Sequence, residues 1–153
     1  MSLLDGTRGL HARNGGLVAH AGGEWLRITE FDRMPAFLMS IPSDTDLWMY
    51  VSSGGGLTAG RTDADGSLFP YVTVDQLHDA HHHTGPVTLL RVRRGAQVTL
   101  WEPFVPRAER HPDIERNLYK HPLGHQVMFE EVHHGLRLAF RYRWAACDAF
   151  GHV

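Results

Sequence analysis

The chain has 153 residues, of which 42% are hydrophobic and 21% charged, and its formal net charge is -2. This balance is typical of one globular domain and argues against nucleic acid or an anionic membrane as a partner. The single cysteine, Cys147, cannot form an internal disulfide, and the sequence contains neither a secretory signal pattern nor a long apolar run. We therefore expect a cytoplasmic protein.

The first two strands are predicted close to the N-terminus. The segment 1–16 is rich in Gly, Arg and Asn, and we expect it to be poorly structured. A single β-sandwich domain is expected to occupy 17–153. At its start, short apolar runs at 17–20 and 24–29 flank a Gly-Gly pair, a pattern that predicts a β-hairpin.

Three consecutive glycines follow the next pair of predicted strands. The apolar runs 37–41 and 47–51 are separated by a Pro-Ser-Asp turn, and Gly54, Gly55 and Gly56 come soon afterwards. Such glycines occur where another chain or a ligand approaches the backbone closely. No helix-forming segment follows directly, which argues against a phosphate-binding loop. We expect these glycines to lie at an interface.

The middle of the chain contains the one candidate helix. After an Asp/Gly turn, the run 68–74 has strand character. Thr73 lies three residues before Gln76 and resembles a capping box, so a helix of at most two turns is expected over 75–82. The Thr-Gly-Pro sequence that follows would end this helix.

The C-terminal half carries the clearest strand signal. Large apolar residues alternate with Arg and Ala over 136–144, the period of two that is typical of a strand with one buried face. Two pairs of shorter runs precede it, each around a short turn: 87–92 with 97–101, and 114–120 with 126–132. The apolar face of the last strand is expected in the core. Its arginines are expected to form a solvated or subunit-facing stripe: Arg137, Arg141 and Arg143.

About ten strands with short connections and at most one short helix indicate an all-β protein. We expect an antiparallel β-sandwich. An exposed edge of such a sheet can pair with a second copy of the chain, so we also expect a homo-oligomer.

Histidines are concentrated in one short segment, as His78, His81, His82 and His83. A helix would place His78 and His82 on one face, whereas a strand would align His81 with His83. Either pair could hold Zn or Fe with a third ligand from elsewhere in the chain, such as His133, His134 or Glu130. No carboxylate follows at the spacing of a cupin-type site, and the other interpretation is a polar loop with no cofactor.

Two aromatic residues of the fourth predicted strand could stack on a sugar ring. Trp48 and Tyr50 alternate with Leu, Met and Val, so both faces of this strand are apolar. That pattern also predicts a central strand that is buried on both sides. Trp144 shares the apolar face of the last strand, and we expect it in the core.

The carboxylates form no obvious catalytic pair. Glu130 and Glu131 are adjacent in a predicted strand, so their side chains should point to opposite faces. Asp63 and Asp65 lie beside Gly in a turn, where Asp is expected to accept backbone hydrogen bonds.

Three longer segments are informative in combination. The first, Leu47–Leu57, is a strand followed by a glycine-rich turn. The second comprises Thr84–Val92 and Val98–Phe104, a strand pair that ends in Trp-Glu-Pro. The third, Asn117–Gly124, leads into the closing strand. Their order and spacing over 37–150 resemble the N-terminal β-sandwich region of glycoside phosphorylases of the cellobiose phosphorylase type.

The resemblance implies a galactose-mutarotase-like supersandwich that precedes a helical linker and an (α/α)₆ catalytic barrel. The family's catalytic aspartate and phosphate-binding residues lie in the barrel, so none is carried over to a position here. The implied function is a non-catalytic module that serves assembly or substrate access, with the catalytic barrel domain or carbohydrate as its partner. The residues leave two alternatives: a small metal-dependent β-barrel enzyme or binder that uses the histidine segment, and a lectin-like carbohydrate binder.

Overall fold

The computed structural model describes residues 15–43, 45–104 and 113–144. In these ranges the chain forms ten strands in antiparallel sheets and three short 3₁₀ helices, which confirms the all-β prediction. The strands are β1 (Gly15–His20), β2 (Gly23–Thr29), β3 (Leu38–Ser40), β4 (Leu47–Ser52), β5 (Leu57–Arg61), β6 (Leu90–Arg94), β7 (Gln97–Trp101), β8 (Glu115–Lys120), β9 (Gln126–His133) and β10 (Leu136–Arg143).

The largest sheet has five strands in the order β1-β2-β8-β9-β10. Its inner face continues across the strands through the register pairs Ile28↔Leu118, Leu118↔Phe129 and Phe129↔Phe140. The alternation over β10 therefore predicted correctly that Phe140 and Tyr142 face inward, whereas Leu136, expected on the same buried face, is 46% exposed. Trp144 also packs against the core and donates its indole N–H to the carbonyl oxygen of Ile41.

The core lies between this inner face and a three-stranded sheet of order β3-β4-β5. Met39, Val51 and Leu57 are buried there against Leu118 and Phe129. Such burial supplies the main favourable free energy of a two-layer domain. The two sheets form the β-sandwich that the sequence predicts.

The outer face of the five-stranded sheet has a smaller apolar cluster of its own. Trp25, Tyr119 and Met128 are buried on this face, next to Val18. The guanidinium of Arg141 lies 5.8 Å from the centre of the Trp25 ring. This cation–π contact helps to cover the indole from water.

Tight turns join most of the neighbouring strands. The β1–β2 and β9–β10 hairpins each have a two-residue loop with both residues at positive φ, ending in Gly22 and Gly135. Loops of this kind match the twist of paired strands. β6 and β7 form a separate two-stranded sheet around a loop that contains Gly95. β1 begins at Gly15, two residues before the expected domain boundary, and residues 1–14 lie outside the described part.

The helix predicted over 75–82 is wrong. The segment contains only one 3₁₀ turn, Leu77–Asp79, whose N-cap residue Gln76 makes no side-chain capping bond. Leu77 is fully buried, and the Thr84 hydroxyl donates to the carbonyl oxygens of Leu57 and Pro70. These contacts with distant parts of the chain determine the conformation of the segment, and they override its local preference for a helix.

The strand predicted over 68–74 is also wrong. Ser67 forms one isolated bridge with Gly60, and the Leu68 N–H donates to the carbonyl oxygen of Ala59. Pro70 then has no N–H to continue a ladder. The segment instead crosses the outer face of the three-stranded sheet. Within the described ranges, no helix is long and apolar enough to cross a membrane.

Candidate functional site

Trp48 and Tyr50 lie on the outer face of the three-stranded sheet. Their neighbours in β4 point into the core, and the alternation of the strand places these two rings on the opposite side. β4 is the central strand of its sheet, as predicted. It is not buried on both sides, because Tyr50 is 37% exposed and Trp48 is only half-buried.

Gly60 makes room for the Trp48 indole. The two residues are register partners in β4 and β5, and a Cβ on Gly60 would lie 2.5 Å from Cζ2 of the indole. The carbonyl oxygen of Gly66 would lie 2.8 Å from the same point. A side chain here would therefore displace the indole or the turn, and glycine allows the ring to lie close to the backbone of β5.

Tyr71 completes an aromatic wall. Its ring lies edge-on to the Trp48 ring, and the two ring centroids are 6.3 Å apart. The centroid of the Tyr50 ring also lies 6.3 Å from that of Trp48. Tyr71 is 53% exposed. The three rings surround an open cavity of about 220 Å³, which Val72 and Val74 also line. We call this the aromatic pocket.

Two polar side chains reach the aromatic pocket. Thr58 lies beside Tyr50 in the sheet and is 1% exposed, and its hydroxyl has no hydrogen-bond partner among the described residues. Asp63 Oδ1 accepts from the N–H groups of Asp65 and Gly66, which confirms the predicted turn role and fixes the carboxylate at the rim. The pocket thus combines apolar ring faces with a hydroxyl and a carboxylate.

The histidine segment makes several separate contacts. His78 Nδ1 and Ser52 Oγ share a hydrogen bond of 2.7 Å, and His82 donates to Glu102 Oε1 over 2.8 Å. The His81 and His82 ring centroids are 3.9 Å apart, whereas His83 is exposed. Burial, and then the charge on His82, lowers the pKa of His81 below its ordinary value.

The described ranges contain no group of three or more His, Cys, Asp or Glu side chains that could hold a metal ion. A zinc or iron site at His78, His81, His82 and His83 stays a prediction.

The three consecutive glycines form the β4–β5 turn, and they contact the 3₁₀ segment of the same chain. A Cβ on Gly56 would overlap the carbonyl oxygen of Leu77, and one on Gly54 would lie 3.0 Å from that of His78. Gly55 has a φ of 94°, which favours glycine. These contacts explain the glycine run within one chain. An interface with a second chain at this turn stays a prediction.

Glu130 and Glu131 point to opposite faces of β9, as predicted. On the outer face, Glu130 accepts from Asn117, Tyr119 and Arg137. On the inner face, Glu131 accepts from Trp101 and from other donors near it. Both carboxylates are therefore held by structural hydrogen bonds. Arg137 is bound to Glu130, so the arginine stripe of β10 is partly paired within the chain.

No family model matches this chain, and no curated protein matches it. The geometry is therefore the evidence for a site. Placing ring faces beside a few polar groups in a concave region is typical of small-molecule binding sites.

Sequence reasoning identified Trp48 and Tyr50 but missed Tyr71 and Thr58 as pocket residues. It also missed the position of Asp63 at the rim. The contact of Tyr71 with Trp48 was missed because the segment 68–74 was predicted as a strand, and a strand there would not cross over Trp48. Pro70, directly before Tyr71, was the signal that could have indicated a loop, because proline has no N–H for a strand ladder.

Proposed function

We propose that this chain is a non-catalytic β-sandwich domain of a carbohydrate-active enzyme, of the glycoside phosphorylase or hydrolase type, and that it holds carbohydrate in the aromatic pocket. The observation that carries the proposal is the set of three aromatic rings around one open cavity. The same cavity is lined by Thr58, whose buried hydroxyl has no partner in the described part of the chain.

The chemistry of the pocket matches that of a sugar. A pyranose ring presents C–H groups on its faces and hydroxyls around its edge. Tryptophan and tyrosine offer large apolar surfaces with a polar tip, so they can stack on the faces. The Asp63 carboxylate can accept from hydroxyls at the edge, because a carboxylate is an acceptor. The Thr58 hydroxyl is covered in the empty pocket, and it can donate and accept once its side chain rotates toward the bound sugar. Together these groups would orient one sugar ring.

A role in assembly is supported by a different surface. Val98 and Leu100 lie on one face of β7, and they are 46% and 69% exposed. Leu89, just before β6, is also exposed. Clusters of exposed apolar side chains are typical of surfaces that pack against a partner. The adjoining catalytic barrel domain implied by the resemblance is the partner that we propose for the β6–β7 hairpin.

The test is to titrate the purified chain with gluco-, galacto- and manno-oligosaccharides of both anomeric linkages. Calorimetry and tryptophan fluorescence measure the binding. We expect at least one series to bind. Tyr71→Ala should then weaken binding about tenfold, which is the effect of losing roughly half a ring of buried apolar area. Tyr50→Ala should act in the same direction.

The matched control is Leu100→Ala, which removes an exposed apolar side chain on another sheet and should leave the affinity unchanged. If neither Tyr71→Ala nor Tyr50→Ala changes the affinity for the oligosaccharide, the proposed site is wrong. The same samples, incubated with oligosaccharide in phosphate buffer, should release no sugar phosphate. Measured turnover would refute the non-catalytic assignment.

A further inference from the structure

A second cavity, of about 150 Å³, lies between the β4–β5 turn and the β10 edge. It shares no lining residue with the aromatic pocket. One wall consists of aromatic rings from three parts of the chain: Phe104 lies 5.2 Å from Phe140 and 5.9 Å from Phe129, measured between ring centroids. Tyr142 and Val87 extend this apolar wall.

His81 is the unusual group of this cavity. It lines the cavity, and both of its ring nitrogens are inaccessible to water and have no hydrogen-bond partner among the described residues. A neutral imidazole carries one donor and one acceptor, and buried polar atoms of this kind are normally satisfied. Since burial lowers the pKa of His81, the neutral form predominates at neutral pH.

Two of the other polar side chains of the cavity make contacts within the chain: Glu102 accepts from His82, and the Arg141 guanidinium lies over the Trp25 ring. Thr88 and Tyr142 add two hydroxyl groups to the lining. A ligand that enters the cavity would therefore find aromatic walls, these hydroxyls and an imidazole that has no partner among the described residues. Glycine at 54 and 55 keeps the opposite side of the cavity free of side chains.

We propose that this cavity binds a small aromatic molecule with a single hydroxyl group, and that the His81 ring turns on binding so that one of its covered nitrogens forms a hydrogen bond with this hydroxyl. The volume is sufficient for one six-membered ring, since apolar cavities of this size take up benzene. The aromatic wall selects the ring, and the imidazole selects the hydroxyl. This site is independent of the carbohydrate proposal.

The experiment compares phenol with toluene, which has similar size but no hydroxyl. Each is titrated into the full chain while the ¹⁵N shifts of the histidine rings are followed by NMR. We expect phenol to bind about three- to tenfold more tightly than toluene, the range for one hydrogen bond. The His81 ring nitrogens should shift with phenol and stay unchanged with toluene.

His81→Phe keeps a ring in place but removes both nitrogens. It should abolish the preference for phenol while toluene still binds. The control is His83→Phe, an exposed position of the same turn, which should retain the preference. Equal binding of the two ligands to the unmodified chain, or no binding of either, would overturn the proposal. The NMR result on the unmodified chain decides the matter even if His81→Phe does not fold.

Discussion

Trp101 donates its indole N–H to Glu131 Oε1 over 2.8 Å in a fully buried position. Glu131 Oε2 accepts from the backbone N–H of Phe104 and from Arg116 Nε. This one carboxylate thus joins β7, the segment after it and β8. Phe104 has a φ of 65°, an unfavourable conformation for a large side chain, and its bond to Glu131 helps to hold it there.

Replacing the Glu131 carboxylate should destabilise the fold strongly. Glu131→Gln removes the charge that balances Arg116, whose side chain is only 5% exposed. It also places an amide NH₂ group next to groups that themselves donate hydrogen bonds. We expect the free energy of unfolding to fall by about 3 kcal/mol. Urea unfolding at neutral pH measures it. Glu24→Gln, at an exposed position of β2, is the control and should change stability by less than about 0.5 kcal/mol. A similar small change for Glu131→Gln would show that the network contributes little.

The close approach of the 3₁₀ segment to the β4–β5 turn predicts a difference between two glycines. Gly56→Ala forces a Cβ onto the carbonyl oxygen of Leu77, so the turn and the segment must separate. We expect a loss of about 2–4 kcal/mol. Gly16→Ala, in β1, meets nothing within 4 Å and should be neutral or slightly stabilising. Thermal unfolding of the two variants tests this, and equal melting temperatures would contradict the packing.

The hairpins were predictable because their signals are local. Gly22 and Gly95 lie in turns between apolar runs, and the alternation over β10 fixes which side chains face inward. The failed helix and strand are the segments whose conformation depends on distant contacts. Leu77 is buried by other parts of the chain, and the Thr84 hydroxyl binds carbonyls that are 14 and 27 residues away. Local patterns carry no information on such contacts.

The candidate site was half predictable for the same reason. Trp48 and Tyr50 are visible in the sequence as aromatic residues of one strand. Their pocket also requires Gly60 opposite Trp48, a register that the sequence does not reveal. It further requires Tyr71 to pass over the sheet. Side chains that meet across strands and loops thus needed the structure.

The lowered pKa of His81 predicts a loss of stability in mild acid. The unfolded chain takes up the proton near the ordinary pKa of 6.5, whereas the folded chain takes it up only at lower pH. The contribution of His81 is therefore complete above pH 6.5 and is lost as the pH falls toward the folded value. Unfolding in urea at a series of pH values should show a shallower acid slope for His81→Phe than for the unmodified chain. The charges of His82 and His83 also lower the pKa of His81, whereas those of Glu102 and Asp79 raise it.

The His83→Phe variant supplies the comparison for this slope, because it makes the same substitution at an exposed histidine of the same turn. It should retain the acid slope of the unmodified chain. If both variants flatten the slope equally, the titration belongs to the segment as a whole. The assignment to His81 would then be wrong.

The Thr58 hydroxyl should have opposite effects on stability and on binding. Thr58→Val keeps the shape of the side chain and removes a buried hydroxyl that has no partner among the described residues, so stability should rise by up to about 1 kcal/mol. Affinity for the bound oligosaccharide should fall about fivefold, because one hydrogen bond to the sugar is lost.

Thr84→Val is the matched variant for Thr58→Val. Its hydroxyl donates to two backbone carbonyls, so the same change should lower stability by about 1–2 kcal/mol. Thr84 does not line the aromatic pocket, and sugar affinity should stay unchanged at temperatures where the variant is folded. Removing a hydroxyl that serves ligand binding should stabilise the protein, whereas removing a hydroxyl that serves the fold should destabilise it. If Thr58→Val instead lost stability and kept its affinity, Thr58 would belong to the second kind.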